Sequence, residues 1–231
     1  MEIPERKFKY FDLIMASFVA ILIISNITST KITQLGFLIF DAGTLLFPIS
    51  YIFGDILTEV YGYKKARRVI WTGFFLTAVG SLYIGLVGFL PVGPGWEFQS
   101  AYEAILGFVP RIVLASLIAF FAGEFSNSYI LAKMKILTKG KHLWSRTIGS
   151  TIVGQGIDTG LFALIAFYGV LPIDVLVALI VSNYVFKVGI EVLFTPVTYW
   201  VVNLLKQKEN QDYYDTKTNF NPFSLSEKET Q

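Results

Sequence analysis

The chain has 231 residues, of which 54% are hydrophobic and 16% are charged, and its formal net charge is +2. Soluble domains carry about 25% charged residues, so this composition excludes most soluble classes. Together with a mean hydropathy of +0.58, it indicates an integral membrane protein. The absence of cysteine excludes disulfides, cysteine–metal sites and thiol nucleophiles. Because His142 is the only histidine, no histidine cluster is available, and we expect neither a metal site nor a cofactor.

Apolar runs separated by clusters of charge predict an all-α, polytopic membrane protein with six transmembrane helices. Each run supplies the roughly 20 residues that a helix needs to cross a bilayer. The first run is longer than a signal-peptide core and precedes no clear cleavage site, so we interpret it as a helix that stays in the protein. The predicted spans are residues 11–30, 37–59, 69–90, 108–132, 147–171 and 173–202.

The distribution of Lys and Arg predicts the orientation. Of the 19 basic residues, 16 fall in the N-terminal segment, the second-to-third and fourth-to-fifth connections, and the C-terminal segment. The positive-inside rule then predicts a multi-pass protein with both termini in the cytoplasm. We expect residues 1–206 to form the six-helix transmembrane domain, and residues 207–231, which are polar, to form a disordered cytoplasmic tail.

Ionisable and amide side chains inside the apolar runs are the candidate functional residues. A charged residue at the centre of a membrane helix costs about 2.5–3.5 kcal/mol, so its presence favours a functional site. Many of these residues are three or four apart, which places them on one face of a helix that can line a shared cavity. Glu124 and Asp158 are the sharpest candidates, since each lies more than a turn inside its span without a basic neighbour in its own helix. The predicted substrate-binding residues are Asn26, Asp55, Glu59, Glu124, Asn127, Gln155, Asp158, Lys187 and Glu191.

Simpler interpretations stay open for some of these residues. Lys187 and Glu191 are four apart, so they are equally compatible with a pair that neutralises itself on a packed helix. Asp41, Glu59 and Arg146 lie near the predicted span ends, where headgroups or water are an alternative environment.

The sequence lacks the features of two classes of membrane enzyme, the serine and the aspartyl proteases, and we expect no catalytic residues. A serine protease needs a His or Lys base beside its serine, but His142 lies in a predicted loop and no Gly-x-Ser-x-Gly motif occurs. An aspartyl protease needs two facing aspartates, and Asp55 and Asp158 are the possible pair. The motifs of that class are absent, because residues 154–158 miss Gly-x-Gly-Asp by one position.

The acidic excess inside the spans favours a ligand that donates hydrogen bonds. A carboxylate can accept two parallel N–H bonds from a flat, amidine-like edge, or it can pair with an ammonium group. Guanine-like rings present such an edge. Aromatic residues form 16% of the chain and can supply a stacking face.

Several blocks of sequence carry a family resemblance. In order they are Ser-Asn-Ile at 25–27, DAGTLLFPISY at 41–51, GDILTEVYGY at 54–63, GEFSNS at 123–128, Arg-Thr at 146–147 and QGID at 155–158. These blocks, of which Asp-x-x-Thr-Glu-Val-Tyr-Gly is the most specific, resemble the queuosine precursor transporter family, a vitamin-uptake-like family. The matching block positions are Asn26, Asp55, Glu59, Glu124, Asn127, Arg146, Gln155 and Asp158.

The resemblance implies a stand-alone importer in the bacterial cytoplasmic membrane, the cell inner membrane. Its substrates would be 7-deazaguanine precursors for tRNA modification, and its six-helix fold would be similar to the substrate-binding subunits of energy-coupling-factor vitamin transporters. The alternative is such a binding subunit itself, which hands a vitamin to an ATP-driven module. The implied partners are a nucleobase-like small molecule and the lipid bilayer, without nucleic acid; a homo-oligomer stays open.

Overall fold

The computed structural model describes residues 8–36, 38–216 and 218–223. Five segments are long and apolar enough to cross a membrane: α1, α3, residues 99–137 (which contain α4 and α5), α6 and α7. An all-α, polytopic membrane architecture is thereby confirmed. The elements in chain order are α1 (Phe11–Thr28), β1 (Ile32–Leu35), β2 (Leu38–Asp41), a 3-10 helix (Ala42–Leu45), α2 (Phe47–Tyr61), α3 (Tyr63–Gly88), α4 (Gln99–Leu106), α5 (Val109–Leu137), α6 (Leu143–Phe167) and α7 (Ile173–Glu209).

The second predicted span is not one continuous helix, and the prediction was wrong for residues 38–46. Strands β1 and β2 pair as an antiparallel hairpin in which Ile32 lies opposite Asp41. The Asp41 carboxylate then accepts a hydrogen bond from the Thr44 backbone N–H at 3.1 Å and starts the 3-10 helix. Pro48 lies in the first turn of α2, where its missing N–H costs nothing. The predicted start, Phe37, lies outside the described residues.

Both ends of the described chain meet at the same end of the bundle. The Glu209 carboxylate at the end of α7 accepts hydrogen bonds from the backbone N–H groups of Lys9 and Tyr10 just before α1, at 3.0 and 2.7 Å. The cytoplasmic orientation of this end stays a prediction, and four of the basic residues that support it, Arg6, Lys7, Lys217 and Lys228, lie outside the described residues.

The segment that follows α7 runs along the start of α3. The Asp215 carboxylate accepts from the Tyr63 backbone N–H at 3.1 Å. Arg67 donates to the backbone carbonyls of Asn219 and Asn221 at 2.9 and 2.6 Å. The domain division at residue 206 stays a prediction, and the part of the expected disorder that covers residues 224–231 lies outside the described residues.

The buried apolar residues form two clusters. One cluster joins α1, α2, α3 and α5 with the start of α6 and the end of α7, and Phe18, Leu57 and Phe120 are among its members. The other joins α5, α6 and α7. Helices α5 and α6 approach closely because both lack a side chain at the crossing: a Cβ on Gly123 would lie 2.8 Å from the backbone oxygen of Gly154. This close approach brings the polar faces of α5 and α6 next to α2.

Candidate functional site

The nine predicted site residues are all buried. They come from α1, α2, α5, α6 and α7, and the most exposed of them, Asn26, has only 4% of its surface accessible. The structure divides most of them between two groups. We call Asp55, Glu124, Asp158 and Glu191 the acidic core, and Glu59 with Lys135, Arg146 and Lys206 the Glu59 cluster.

In the acidic core, α2 and α5 bring two carboxyl groups together. Asp55 accepts a hydrogen bond from the Asn127 side-chain amide at 2.9 Å. Glu124 accepts from the Ser128 hydroxyl at 3.3 Å. Its carboxyl group fits against α2 because the facing position is Gly54, where a Cβ would collide with a Glu124 carboxyl oxygen. The glycine is therefore what allows this carboxyl group to enter the core.

A cation from α7 neutralises one of the four carboxylates. The Lys187 ammonium lies 2.9 Å from a carboxylate oxygen of Asp158, and both side chains are at most 4% exposed. The same ammonium lies 4.6 Å from the centre of the Phe47 ring, an arrangement that favours a cation–π contact. The self-neutralising pair of Lys187 with Glu191 is thus not what forms, because Lys187 reaches across to α6. Glu191 instead faces Asp55 of α2 and Thr151 of α6.

Glu59 lies one helical turn from Asp55, but it belongs to a separate cluster of ion pairs. Its carboxylate oxygens lie 2.7 Å from the Lys206 ammonium, 3.2 Å from the Arg146 guanidinium and 3.4 Å from the Lys135 ammonium. Glu59 and Arg146 are each 1% exposed, so the interpretation that they face headgroups or water was wrong. A buried charge needs partners, and three helices, α5, α6 and α7, supply them here. The Glu59 cluster ties α2, α5, α6 and α7 together.

Asp41 is also buried, at 2% exposure, so its assignment to headgroups or water was wrong too. Its carboxylate accepts hydrogen bonds from the Ser29 hydroxyl at 2.6 Å, the Thr44 hydroxyl at 2.8 Å and the Asn183 amide at 3.1 Å. We call these four residues the Asp41 cluster. It connects α1, the hairpin and α7. Asn183 and Ser29 were not predicted here, because they lie 142 and 12 residues away from Asp41 in the sequence.

Several polar atoms of the core have no hydrogen-bond partner among the described residues. An unsatisfied buried polar group costs about 1–3 kcal/mol, so a cluster of them is unusual unless a ligand completes it. Their convergence from α2, α5, α6 and α7 makes this part of the core the candidate site for a polar molecule. The atoms include the Tyr51 hydroxyl, one carboxyl oxygen each of Asp55, Glu124 and Asp158, both carboxyl oxygens of Glu191, the Asn127 amide oxygen, and both amide atoms of Gln155.

Tyr51 was missed by the sequence analysis, although a signal exists. Its position four residues before Asp55 places both side chains on the same face of α2. Thr151 precedes Gln155 by the same interval on α6. A hydroxyl group one helical turn from a candidate carboxylate or amide is therefore a sequence pattern that can identify further site residues.

A small cavity adjoins the Lys187–Asp158 pair. Its volume of about 10 Å³ has room for about one water molecule, so no bicyclic ring fits without movement. Binding of a larger molecule therefore requires the helices or side chains around the core to separate. The cavity is lined by Asn26, Ser29, Asp41, Thr44, Phe47, Ser116, Asp158, Phe162 and Lys187.

Apolar helices that surround a buried, partly unsatisfied polar core are the architecture of a membrane transporter. Comparison with protein families agrees with this class. Residues 41–201 match the family model described as "Putative vitamin uptake transporter". The chain belongs to this family.

Curated relatives are similar over most of their length. A "Probable queuosine precursor transporter" of Bacillus subtilis (strain 168) is 30% identical over 187 residues, which cover 80% of this chain and 81% of the relative. A protein of the same name from Haemophilus influenzae is 28% identical over 172 residues, 72% of this chain and 70% of the relative. The "Queuosine precursor transporter" of Escherichia coli (strain K12) is 24% identical over 170 residues, 72% of this chain and 74% of the relative. No solved structure matches the chain.

Proposed function

We propose that the chain imports queuosine precursors, 7-deazaguanine bases, across the bacterial cytoplasmic membrane, with both termini in the cytoplasm. The observation that carries the proposal is the acidic core, whose unpaired acceptors suit a ligand rich in N–H donors. The names of the curated relatives supply the substrate class. In this proposal, the chain moves its substrate across the membrane without a catalytic step.

Within the acidic core, the four carboxyl groups suit different parts of the ligand. A 7-deazaguanine ring carries an N–H and an exocyclic amine on one edge, which one carboxylate can accept together. Glu124 suits this role better than Asp158, because Lys187 already neutralises Asp158. Gln155 and Asn127 have amide atoms left for the other polar atoms of the ring.

A precursor with an amine on its side arm needs a second carboxylate. Asp55 suits this role better than Glu59, because three cations already surround Glu59. Asp55 is bonded through one oxygen to Asn127 and faces Glu191. The two carboxyl groups together offer a strongly acidic environment for an ammonium group.

The two clusters at either side of the acidic core are the proposed gates. The Asp41 cluster holds the hairpin, α1 and α7 together, whereas the Glu59 cluster holds α2, α5, α6 and α7 near the termini. Opening one cluster while the other stays closed would expose the core to one side of the membrane at a time. The small closed cavity is consistent with a state in which both are shut.

The test is uptake of a labelled 7-deazaguanine precursor into liposomes that contain only the purified chain. We expect uptake without any ATPase, and a loss of at least tenfold in Glu124→Gln, which keeps the shape but replaces an acceptor with a donor. Thr77→Val is the matched control, since it removes a buried hydroxyl of α3 outside the site. Binding without uptake would instead support the alternative, a binding subunit of an ATP-driven system. A wild type that neither binds nor takes up the precursor would refute the proposed function.

A further inference from the structure

The hydroxyl group of Tyr51 has an unusual position for a tyrosine in a membrane protein. The side chain is fully buried, and its hydroxyl has no hydrogen-bond partner within the described part of the chain. Buried tyrosine hydroxyls normally find a partner, because leaving one unpaired costs stability. The hydroxyl of Tyr61, on the same helix, follows this rule and donates to Glu209 at 3.1 Å.

The surroundings of Tyr51 hold its ring in one place. Phe120 contacts the ring edge-to-face, with centroids 5.6 Å apart, and Phe47 lies on another side at 6.2 Å. The ring tip reaches the α5–α6 crossing, where a Cβ on Gly123 would lie 2.6 Å from the hydroxyl oxygen. A Cβ on Gly154 would lie 3.4 Å from the ring. Both glycines therefore leave room for the phenol to enter the core.

The hydroxyl lies among groups that accept hydrogen bonds. All four carboxyl groups of the acidic core are close enough to Tyr51 to interact electrostatically with it. Carboxylates can accept the N–H donors of a guanine-like ring, but they repel the carbonyl oxygen that the ring carries beside its N–H. That oxygen needs a donor. Among the described residues, the donors near the core without a hydrogen-bond partner include the Tyr51 hydroxyl, the Thr151 hydroxyl and the Gln155 amide nitrogen. Of these three, the Tyr51 hydroxyl is carried by a ring that Phe47 and Phe120 hold in place.

We propose that the Tyr51 hydroxyl donates a hydrogen bond to the ring carbonyl of the substrate and thereby determines specificity for rings that have a carbonyl beside an N–H. The inference rests on the proposed function and goes beyond it by assigning the carbonyl to Tyr51. Because Phe47 and Phe120 fix the ring, the donor is positioned before the ligand arrives. Tyr51 complements the carboxylates, which accept from the opposite part of the same edge.

The test compares two ligands that differ only at this atom: 7-deazaguanine and its 6-thio analogue, in which a thiocarbonyl keeps the neighbouring N–H but accepts hydrogen bonds poorly. Affinities are measured by titration of the purified chain in detergent. We expect the wild type to prefer the carbonyl ligand, and Tyr51→Phe to bind it about tenfold more weakly, as for the loss of one hydrogen bond. The affinity of Tyr51→Phe for the thio ligand should stay near that of the wild type.

Tyr61→Phe is the matched control, since it removes a buried hydroxyl from the same helix without touching the acidic core. It should keep the wild-type ligand preference. Gly123→Ala, whose new methyl group would displace the Tyr51 hydroxyl, should lose the preference as Tyr51→Phe does.

Three results would overturn the inference. The first is equal affinity of the wild type for both ligands, a result that can be measured without any variant. The second is Tyr51→Phe with unchanged affinity for the carbonyl ligand, and the third is an equal loss for both ligands, which would indicate a change of shape. A wild type that binds neither ligand would overturn the proposed function, and the assignment of Tyr51 with it.

Discussion

The ion pair between Lys187 and Asp158 offers the most direct test of the arrangement of the core. Changing Asp158 to Asn preserves the shape of the side chain but removes its charge. Lys187, which is 3% exposed, then keeps a buried ammonium without an anionic partner at 2.9 Å. Breaking a buried ion pair by removing one partner costs about 3–5 kcal/mol.

The expected change in melting temperature follows from this figure. For a chain of this size, 1 kcal/mol corresponds to about 2–4 °C, so Asp158→Asn should melt about 6–20 °C below the wild type. Lys187→Met should have a similar effect, because it strands the carboxylate. The double variant carries neither charge, and it should recover most of the loss, since the removal of both partners avoids the unpaired charge.

Thermal unfolding in detergent, followed by tryptophan fluorescence, measures all three variants. Glu191→Gln, alone and combined with Lys187→Met, is the matched control. Glu191 lies four residues from Lys187 on the same helix, so it is the partner that helical spacing alone would suggest. The assigned pairing would be refuted if the drops in melting temperature of Asp158→Asn and Lys187→Met simply added in the double variant. It would also be refuted if Glu191→Gln, instead of Asp158→Asn, recovered the loss of Lys187→Met.

The remaining predictions concern topology, the C-terminal segment and the core glycines. A topology reporter at the C-terminus should report the cytoplasm and one in the α3–α4 loop the outside; opposite results would refute the orientation. Burial opposes ionisation of Asp212, but hydrogen bonds from Lys135 and Lys206 outweigh it and lower the pKa of Asp212. The interaction of ionised Asp212 with Lys135 and Lys206 therefore stabilises the fold above the unfolded pKa of about 3.9, and this stabilisation is lost as pH falls through the lower folded pKa. Asp212→Asn should make the melting temperature depend less on pH between pH 6 and pH 3. A pH dependence equal to that of the wild type would contradict the pairing. Gly54→Ala should abolish uptake, because its Cβ meets a carboxyl group of the core. Gly80→Ala, whose Cβ meets nothing within 4 Å, should melt no lower than the wild type. Equal uptake by the two variants would contradict the packing of the core.

The sequence predicts the helical membrane architecture because long apolar runs have few other solutions in lipid. It does not predict the hairpin at residues 32–41. Two strands of four residues, rich in Ile, Leu and Phe, have the same composition as a membrane helix, so hydropathy cannot separate them. Gly43 follows Asp41 in this part of the chain, but glycine is common in membrane helices, where a kink in a packed helix explains it equally well.

The candidate site was predictable in its membership more than in its pairing. Polar spacing placed Asp55, Glu124 and Asp158 on faces that do converge, because such groups avoid lipid. The partner of Lys187 was not predictable, since a residue four positions away competes with one on another helix. The cations around Glu59 come from positions 76 to 147 residues away, and no local pattern encodes contacts of that separation.

The two proposed gates use buried polar and charged groups, and the chemistry of these groups bears on how easily access to the acidic core can open and close. A buried ion pair gains attraction in a dry site but loses hydration, so the closed cluster is only modestly favoured over its solvated parts. When water enters, each charge of the Glu59 cluster recovers its hydration, and an exposed pair then contributes at most about 1 kcal/mol. An apolar seal of the same area would instead resist opening, because water would have to cover its surface. The proposed gates, one built from ion pairs and one in which neutral donors hold the Asp41 carboxylate, would therefore keep the closed and open states similar in free energy. The proposed alternating exposure of the core to the two sides of the membrane requires such a balance.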